Sequence, residues 1–296
     1  MNRSVLAIII VLLIAQLGWC TAETPTDVGN RVRTFHPANW ASKTDSELLA
    51  SLSDEAASNR AGAAREVGKR QLSASIPMLK GLLSDKYEFV RLDAAASLMK
   101  MGDKTGTPVL QAMLGSKISY YALAAAEALI PTGDEAAVKT AQSYLTSPYF
   151  TTREKALKAL SSSPSQDTEY AMLEAGLKDE EYQVRVTTLT LLMKRPGKRS
   201  ADLLLQYIAD PDKRIRSLVV KALGSVGGKD AVPHLLDLLS DPDAQVRYSA
   251  ANSLNYLTGQ SKPTLFFKPE RAKQVQAEWR EWWEANKDKP LPAEKN

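Results

Sequence analysis

The apolar positions of this chain fall at helical spacing and recur with a fixed stride. In the stretch Asp241 to Leu257, DPDAQVRYSAANSLNYL, Ala250, Ala251 and Leu254 lie three and four apart and form one narrow face. With Arg247 as an index, the equivalent residues upstream are Arg216, Arg185, Arg153, Ala122, Arg91 and Arg60, at steps of 31 residues with a single step of 32. Seven residues after each index stands an aliphatic side chain: Val67, Leu98, Leu129, Leu160, Leu192, Leu223 or Leu254. Three and four after it the residues are mostly small, as in Ala63 and Ala64 or Ala94 and Ala95. A stripe this thin needs covering and admits close helix approach, so the stride predicts a repeat array whose units bury one another.

Six residues before each index lies Asp54, Asp85, Ser116, Ser147, Asp179, Asp210 or Asp241. All seven side chains can accept from free N–H groups at a helix start, and they read as N-caps. Pro148, Pro211 and Pro242 follow directly and suit the first helical position. Each unit also needs a first helix. Ile76-Pro77-Met78-Leu79 and Val232-Pro233-His234-Leu235 supply it in matching register, and Thr107-Pro108-Val109-Leu110 begins a third. Gly68, Gly102, Gly133, Pro196-Gly197, Gly227-Gly228 and Gly259 mark the joins.

The spacing D-P-D-x-x-V-R before an alanine-rich helix resembles the HEAT repeat, in particular the short bacterial HEAT-like form also seen in phycobilisome lyases. The resemblance covers residues 44–259. It implies an all-α fold, a right-handed superhelical α-solenoid of about seven HEAT-like helix pairs whose second helices line the concave side. It further implies hydrogen-bonded links between repeats from the capping acid and the index arginine, carried here onto Asp85/Arg91, Asp179/Arg185, Asp210/Arg216 and Asp241/Arg247. Ala122, Ser116 and Ser147 depart from that pattern, so the middle of the array is expected to be looser or more bent.

Flanking segments differ in composition. Residues 1–22 have the anatomy of an export signal: Arg3, an apolar run from Val5 to Ala15, then Cys20-Thr21-Ala22. Cleavage after Ala22, lipidation at Cys20 and retention as an anchor all stay open. Trp19 stands where lipoprotein signals want a small residue. Cys20 is the only cysteine, so no disulfide supports the fold. Residues 23–43 read as a leader segment, with Phe35 and Trp40 expected to cover the first repeat. Residues 260–287 are expected to form a C-terminal capping region, with Val275, Trp279, Trp282 and Trp283 on one side of a helix opening at Pro269, and 288–296 are a polar tail.

Composition adds little to function. The chain has 38 Lys and Arg against 34 Asp and Glu, too small an excess to predict nucleic acid. His36 and His234 are the only histidines, and neither precedes a Glu as in the paired motifs of deoxyhypusine hydroxylase, an iron enzyme built of HEAT-like repeats. No phosphate loop, metal-spaced set or nucleophile elbow occurs. The expectation is a non-catalytic protein without a cofactor or metal.

Five and nine residues past the index stand Arg65, Lys69, Lys100, Lys158, Lys194 and Lys221, interrupted by Glu127 and ended by Asn252 and Tyr256. These offsets point away from the apolar stripe and predict a solvent-facing basic ridge. It is either a solvated face or a surface that steers an acidic partner. The expected role is an exported scaffold mediating protein–protein interaction in the cell envelope. The alternative is a binder of anionic envelope polymer or lipid headgroups through the basic concave face.

Overall fold

The computed structural model describes residues 39–262 and 269–292. The expectations for the export signal, Cys20 and Phe35 lie outside the described residues. The chain divides into two compact units, Met1–Thr44 and Asp45–Asn296. What is described of the first is a short 3-10 turn, Trp40–Ser42, with Lys43 Nζ 4.6 Å from the Trp40 ring centre.

The described residues of the second unit form no strand and contain seven helix pairs. The first three are α1 (Asp45–Ser51) with α2 (Ala57–Lys69), α3 (Ile76–Leu82) with α4 (Glu88–Lys100), and α5 (Thr107–Met113) with α6 (Ser119–Leu129). The fourth and fifth are α7 (Glu135–Ser143) with α8 (Phe150–Leu160), and α9 (Gln166–Leu177) with α10 (Tyr182–Leu192). The last two are α11 (Lys198–Leu205) with α12 (Lys213–Val226), and α13 (Gly228–Asp237) with α14 (Ala244–Thr258), after which comes α15 (Pro269–Asn286). This is the all-α solenoid of HEAT-like pairs that the stride predicts. All seven aliphatics from Val67 to Leu254 are fully buried, as are Ala63, Ala94, Ala125, Ala156, Val219 and Ala250 three residues past the index. Each pair buries its stripe against the next, so the core is one continuous row.

The turns correct the capping expectation. The second helices begin three residues after the Asp or Ser, so these residues are not N-caps. Instead each side chain accepts from the backbone N–H two residues on, as Asp54 does from Ala56 at 2.8 Å, Ser116 from Ile118 at 3.2 Å and Asp241 from Asp243 at 2.8 Å. That local bond closes a tight turn ahead of the helix. Pro148, Pro211 and Pro242 therefore sit inside the turn and not at the first helical position.

The index arginine, fourth in its helix, completes the turn and links the repeats. Arg60 Nη1 donates to the Asp54 and Glu55 carbonyls at 2.8 and 2.9 Å, and its Nε reaches the Asp85 carboxylate of the next repeat at 2.7 Å. Arg153 grips Asp179 with two bonds, at 2.7 and 2.8 Å, and Arg216 grips Asp241 with two at 3.1 Å. Where the link forms, at Arg60, Arg153 and Arg216, it runs from the arginine to the following repeat's acid. The pairings within one repeat, Asp85/Arg91, Asp179/Arg185, Asp210/Arg216 and Asp241/Arg247, use only the acid's backbone carbonyl. Arg185 makes no bridge to Asp210 among the described residues, and Ser116 offers Arg91 no carboxylate. Burial pushes the Asp179 carboxyl up, but the Arg153 hydrogen bond and the Glu181 N–H outweigh it and hold the group below its usual value.

One join differs from expectation. Gly68 lies within α2, not between repeats; a Cβ there would stand 2.4 Å from Ser97 Oγ. Ser97 Oγ donates to the Ala64 carbonyl at 2.7 Å, so α2 and α4 meet almost backbone to backbone. Gly224 repeats this approach against Ser253, whose hydroxyl donates to Val220 at 3.1 Å. The turn after α2 is made by Gln71 at φ 55, where later repeats have Gly102 and Gly133 at φ 80 and 82.

α15 packs on the end of the array. Trp279 is 1% exposed and Trp283 8%, with Val275 and Trp282 packed against the same core. Gln276 Nε2 donates to the Leu236 carbonyl at 2.8 Å, taking up an acceptor at the C-terminal end of α13, and Arg280 pairs with Asp237.

The arginine link generates a stability prediction. Arg153→Met leaves the half-buried Asp179 carboxylate with only the Glu181 N–H as partner and should cost about 1–3 kcal/mol. Arg185→Met, which removes turn bonds but no bridge to the next repeat, should cost clearly less. Urea unfolding of both variants provides the comparison, and equal losses would mean that the turn bonds, not the bridge, carry the stability.

Candidate interaction surface

The second helices carry the basic positions. Lys69 and Lys100 end α2 and α4, Lys158 lies on α8 and Lys221 on α12, while Lys194 falls two residues past α10, which stops at Leu192. All six cations of the ridge are exposed. They are not electrostatically equivalent. Arg65 Nε lies 3.1 Å from Asp93 of the next repeat, and Lys69 Nζ lies 3.8 Å from Glu66. Lys100, Lys158, Lys194 and Lys221 take part in no ion pair among the described residues. Glu127, also exposed, interrupts the row between Lys100 and Lys158.

Asp93 sits beneath the start of this ridge and is 8% exposed. Burial pushes its carboxyl up to about 7, with the charges of Arg65 and Lys100 pulling the other way. Arg65 is half exposed, with its charge partly hydrated, which explains why the partner does not offset the burial.

Two open clefts cross the loops at the starts of the second helices. One, of about 390 Å³, lies between the sixth and seventh repeats and includes Asp210, Arg216, His234, Asp237 and Asp241. The other, of about 330 Å³, includes Ser147, Pro148, Arg153, Asp179 and Glu180. Each lies over an arginine–aspartate link, so the charged groups at its base are already engaged. His234 is an exposed residue of α13. Among the described residues no group of three or more His, Cys, Asp or Glu side chains is placed to hold a metal ion, and no helix is long and apolar enough to cross a membrane.

A third surface was not anticipated from the sequence. Tyr87, Ile118 and Tyr149 are 42, 43 and 48% exposed, each four residues before its index. They share one register, a signal present in the sequence.

A family model of HEAT repeats matches residues 46–130 and 170–255, more than half of the chain. The chain belongs to the HEAT-repeat family. No curated protein sequence matches it. Among solved structures, the CpcE–CpcF complex of phycocyanin lyase from Nostoc is 20% identical, covering 88% of this chain and 100% of that one with a TM-score of 0.42. YibA of Escherichia coli is 17% identical over 80% of this chain and 94% of its own, with a TM-score of 0.47. Human deoxyhypusine hydroxylase in complex with glycerol is 20% identical over 71% of this chain and 83% of its own, at 0.37. No residue role is carried over from them. HEAT repeats in general form protein-interaction scaffolds, and this array has that general character.

Asp93 gives the array a pH dependence. Its folded pKa, about 7, exceeds the unfolded value of about 3.9, so the folded state holds the proton more tightly. The resulting stability is fully present below the unfolded value and is lost as pH rises through about 7. Asp93→Asn should therefore raise the melting temperature by a few degrees at pH 8 and flatten its fall between pH 5 and pH 8. A parent protein with no such fall would show that the carboxylate is accommodated ionised.

Proposed function

We propose that the protein is an exported, non-catalytic HEAT-repeat scaffold that binds a protein partner in the cell envelope, with the basic ridge of its second helices steering an acidic surface toward it. The single observation that carries this reading is the set of exposed cations Lys100, Lys158, Lys194 and Lys221, none in an ion pair among the described residues. Charges of one sign left uncompensated along one row raise the local concentration of an oppositely charged partner. Arg65 and Lys69 contribute less, because Asp93 and Glu66 lie beside them.

The test is charge reversal. Lys100→Glu, Lys158→Glu and Lys221→Glu together should leave the melting temperature nearly unchanged. They should slow association with a partner captured from envelope extract, most strongly at low salt. Equal association rates across a salt series would return these lysines to a solubility role. The same exposed cations also suit an anionic envelope polymer or lipid headgroups; binding of such a polymer would weaken steeply with salt even without a protein partner.

Export rests on the sequence of residues 1–22, with its basic start, apolar run and Cys-Thr-Ala end. The intact mass of protein recovered from the envelope decides the amino terminus. A start at Glu23 is expected; an acylated start at Cys20 would make this a membrane-tethered scaffold.

A further inference from the structure

Among the described residues, five of the six exposed large hydrophobic side chains lie on one edge of the solenoid. They are Tyr87, Ile118, Tyr120, Tyr149 and Phe150, all within the turn or first helical residues that open α4, α6 and α8. Tyr87, Ile118 and Tyr149 occupy the same register in three consecutive repeats. They therefore form a row along the edge, spaced by the separation of packed helices, about 8–10 Å. The rest of the same edge is different. At the equivalent position the fifth, sixth and seventh repeats have Glu181, Asp212 and Asp243, and the first has Ala56 beside Glu55.

Charge also changes along the edge. The third and fourth turns have Ser116 and Ser147 in the acid's place, and the second and third carry Lys86 and Lys117; the second keeps Asp85, whose carboxylate is engaged by Arg60. Lys86 Nζ lies 5.0 Å from the Tyr87 ring centre, and Lys155 Nζ lies 5.1 Å from that of Tyr120. Ammonium groups thus stand over two of the exposed rings. A sugar stacking on those faces would have to displace them. An anion arriving beside the rings would meet them.

We infer that this edge is a second binding surface, separate from the basic ridge, and that it takes an extended acidic peptide segment of a partner protein with an apolar or aromatic residue at every third position. The spacing follows from geometry. A polyproline II chain advances about 3.1 Å per residue and completes a turn in three, so every third side chain returns to the same face one repeat step further on. Side chains at every third position then meet Tyr87, Ile118 and Tyr149 in turn, and carboxylates between them face Lys86, Lys117 and Lys155. The inference rests on the general scaffold role of the array and not on the ridge.

Fluorescence anisotropy with the full-length protein tests it. The probe is a labelled twelve-residue peptide repeating Phe-Glu-Pro, in which proline keeps the chain extended; repeats of Phe-Lys-Pro and Ser-Glu-Pro are controls. The Phe-Glu-Pro peptide should bind, and either control should bind at least about tenfold more weakly. Lys86→Glu with Lys117→Glu, and separately Ile118→Ser with Tyr149→Ser, should each weaken binding by a similar factor without lowering the melting temperature. Lys158→Glu with Lys221→Glu should leave it unchanged, which separates this edge from the ridge. No binding of the Phe-Glu-Pro peptide overturns the inference, as does equal binding of Ser-Glu-Pro, which would show a plain anion surface. A dimer in sedimentation that Ile118→Ser with Tyr149→Ser dissociates would instead assign the edge to a second copy of the chain.

Discussion

The solenoid depends on one side chain used in two directions. An arginine at the fourth position of a second helix takes up carbonyls that the preceding turn cannot satisfy, and its remaining donors reach the aspartate of the next repeat. Arg60, Arg153 and Arg216 all do this. The aspartate at the far end has itself just closed its own turn by accepting from the N–H two residues on. A single pair therefore fixes a turn, the start of a helix and the register of the following unit. The guanidinium fork suits this because it can serve a carbonyl and a carboxylate at once, which a lysine ammonium on a flexible stem does less specifically.

The joints are not equal, and the differences have a physical order. At the first and last joints the arginine link coincides with a glycine that lets adjacent second helices touch, Gly68 on Ser97 and Gly224 on Ser253. In the middle the position of those glycines holds Met99, Ile130, Ser161 and Met193, so the second helices there meet through side chains. Ala122 cannot form the link at all. Arg195 supplies another contact between the fourth and fifth repeats, donating to the Ser161 carbonyl at 2.7 Å and pairing with Glu169. The family match passes over residues 131–169, the stretch that contains α7 and α8. The third and fourth repeats, whose turns depart from the acid pattern, carry Ile118, Tyr120, Tyr149 and Phe150 of the aromatic edge, while Tyr87 lies in the second, whose turn keeps Asp85.

Much of the fold was legible because the stride is fixed. Once Arg247 is aligned with Arg60, every offset becomes a row, and the buried row from Val67 to Leu254 follows from its residue types alone. Helix boundaries were less legible. An aspartate before a helix suits an N-cap and an Asx-turn equally well, and only the backbone shows that Asp54 accepts from Ala56 outside the helix. Gly68 misled for a related reason. Glycine signals a turn or a close approach, and the sequence does not say which; here a neighbouring serine decides it. The direction of the arginine link was hidden because Arg91 is nearer in sequence to Asp85 than Arg60 is, while in space the Asp85 carboxylate faces Arg60. The exposure of the ridge followed from helical geometry, but its uneven charge did not, since Asp93 belongs to a different repeat from Arg65.

That last pairing joins the surface to the core. Arg65 is a ridge cation held beside a carboxyl that burial pushes up to about 7, so the net charge of the pair depends on pH. Lys158, Lys194 and Lys221 take part in no ion pair among the described residues. The ridge is therefore paired at its start and unpaired in its second half. The aromatic edge lies on repeats two to four, between these regions, and its lysines are set against rings instead of carboxylates. A partner that engaged both surfaces would draw its apolar contact from the middle repeats and its charge contacts from both rows. The two contributions are separable by mutation because the repeat geometry places them in different rows.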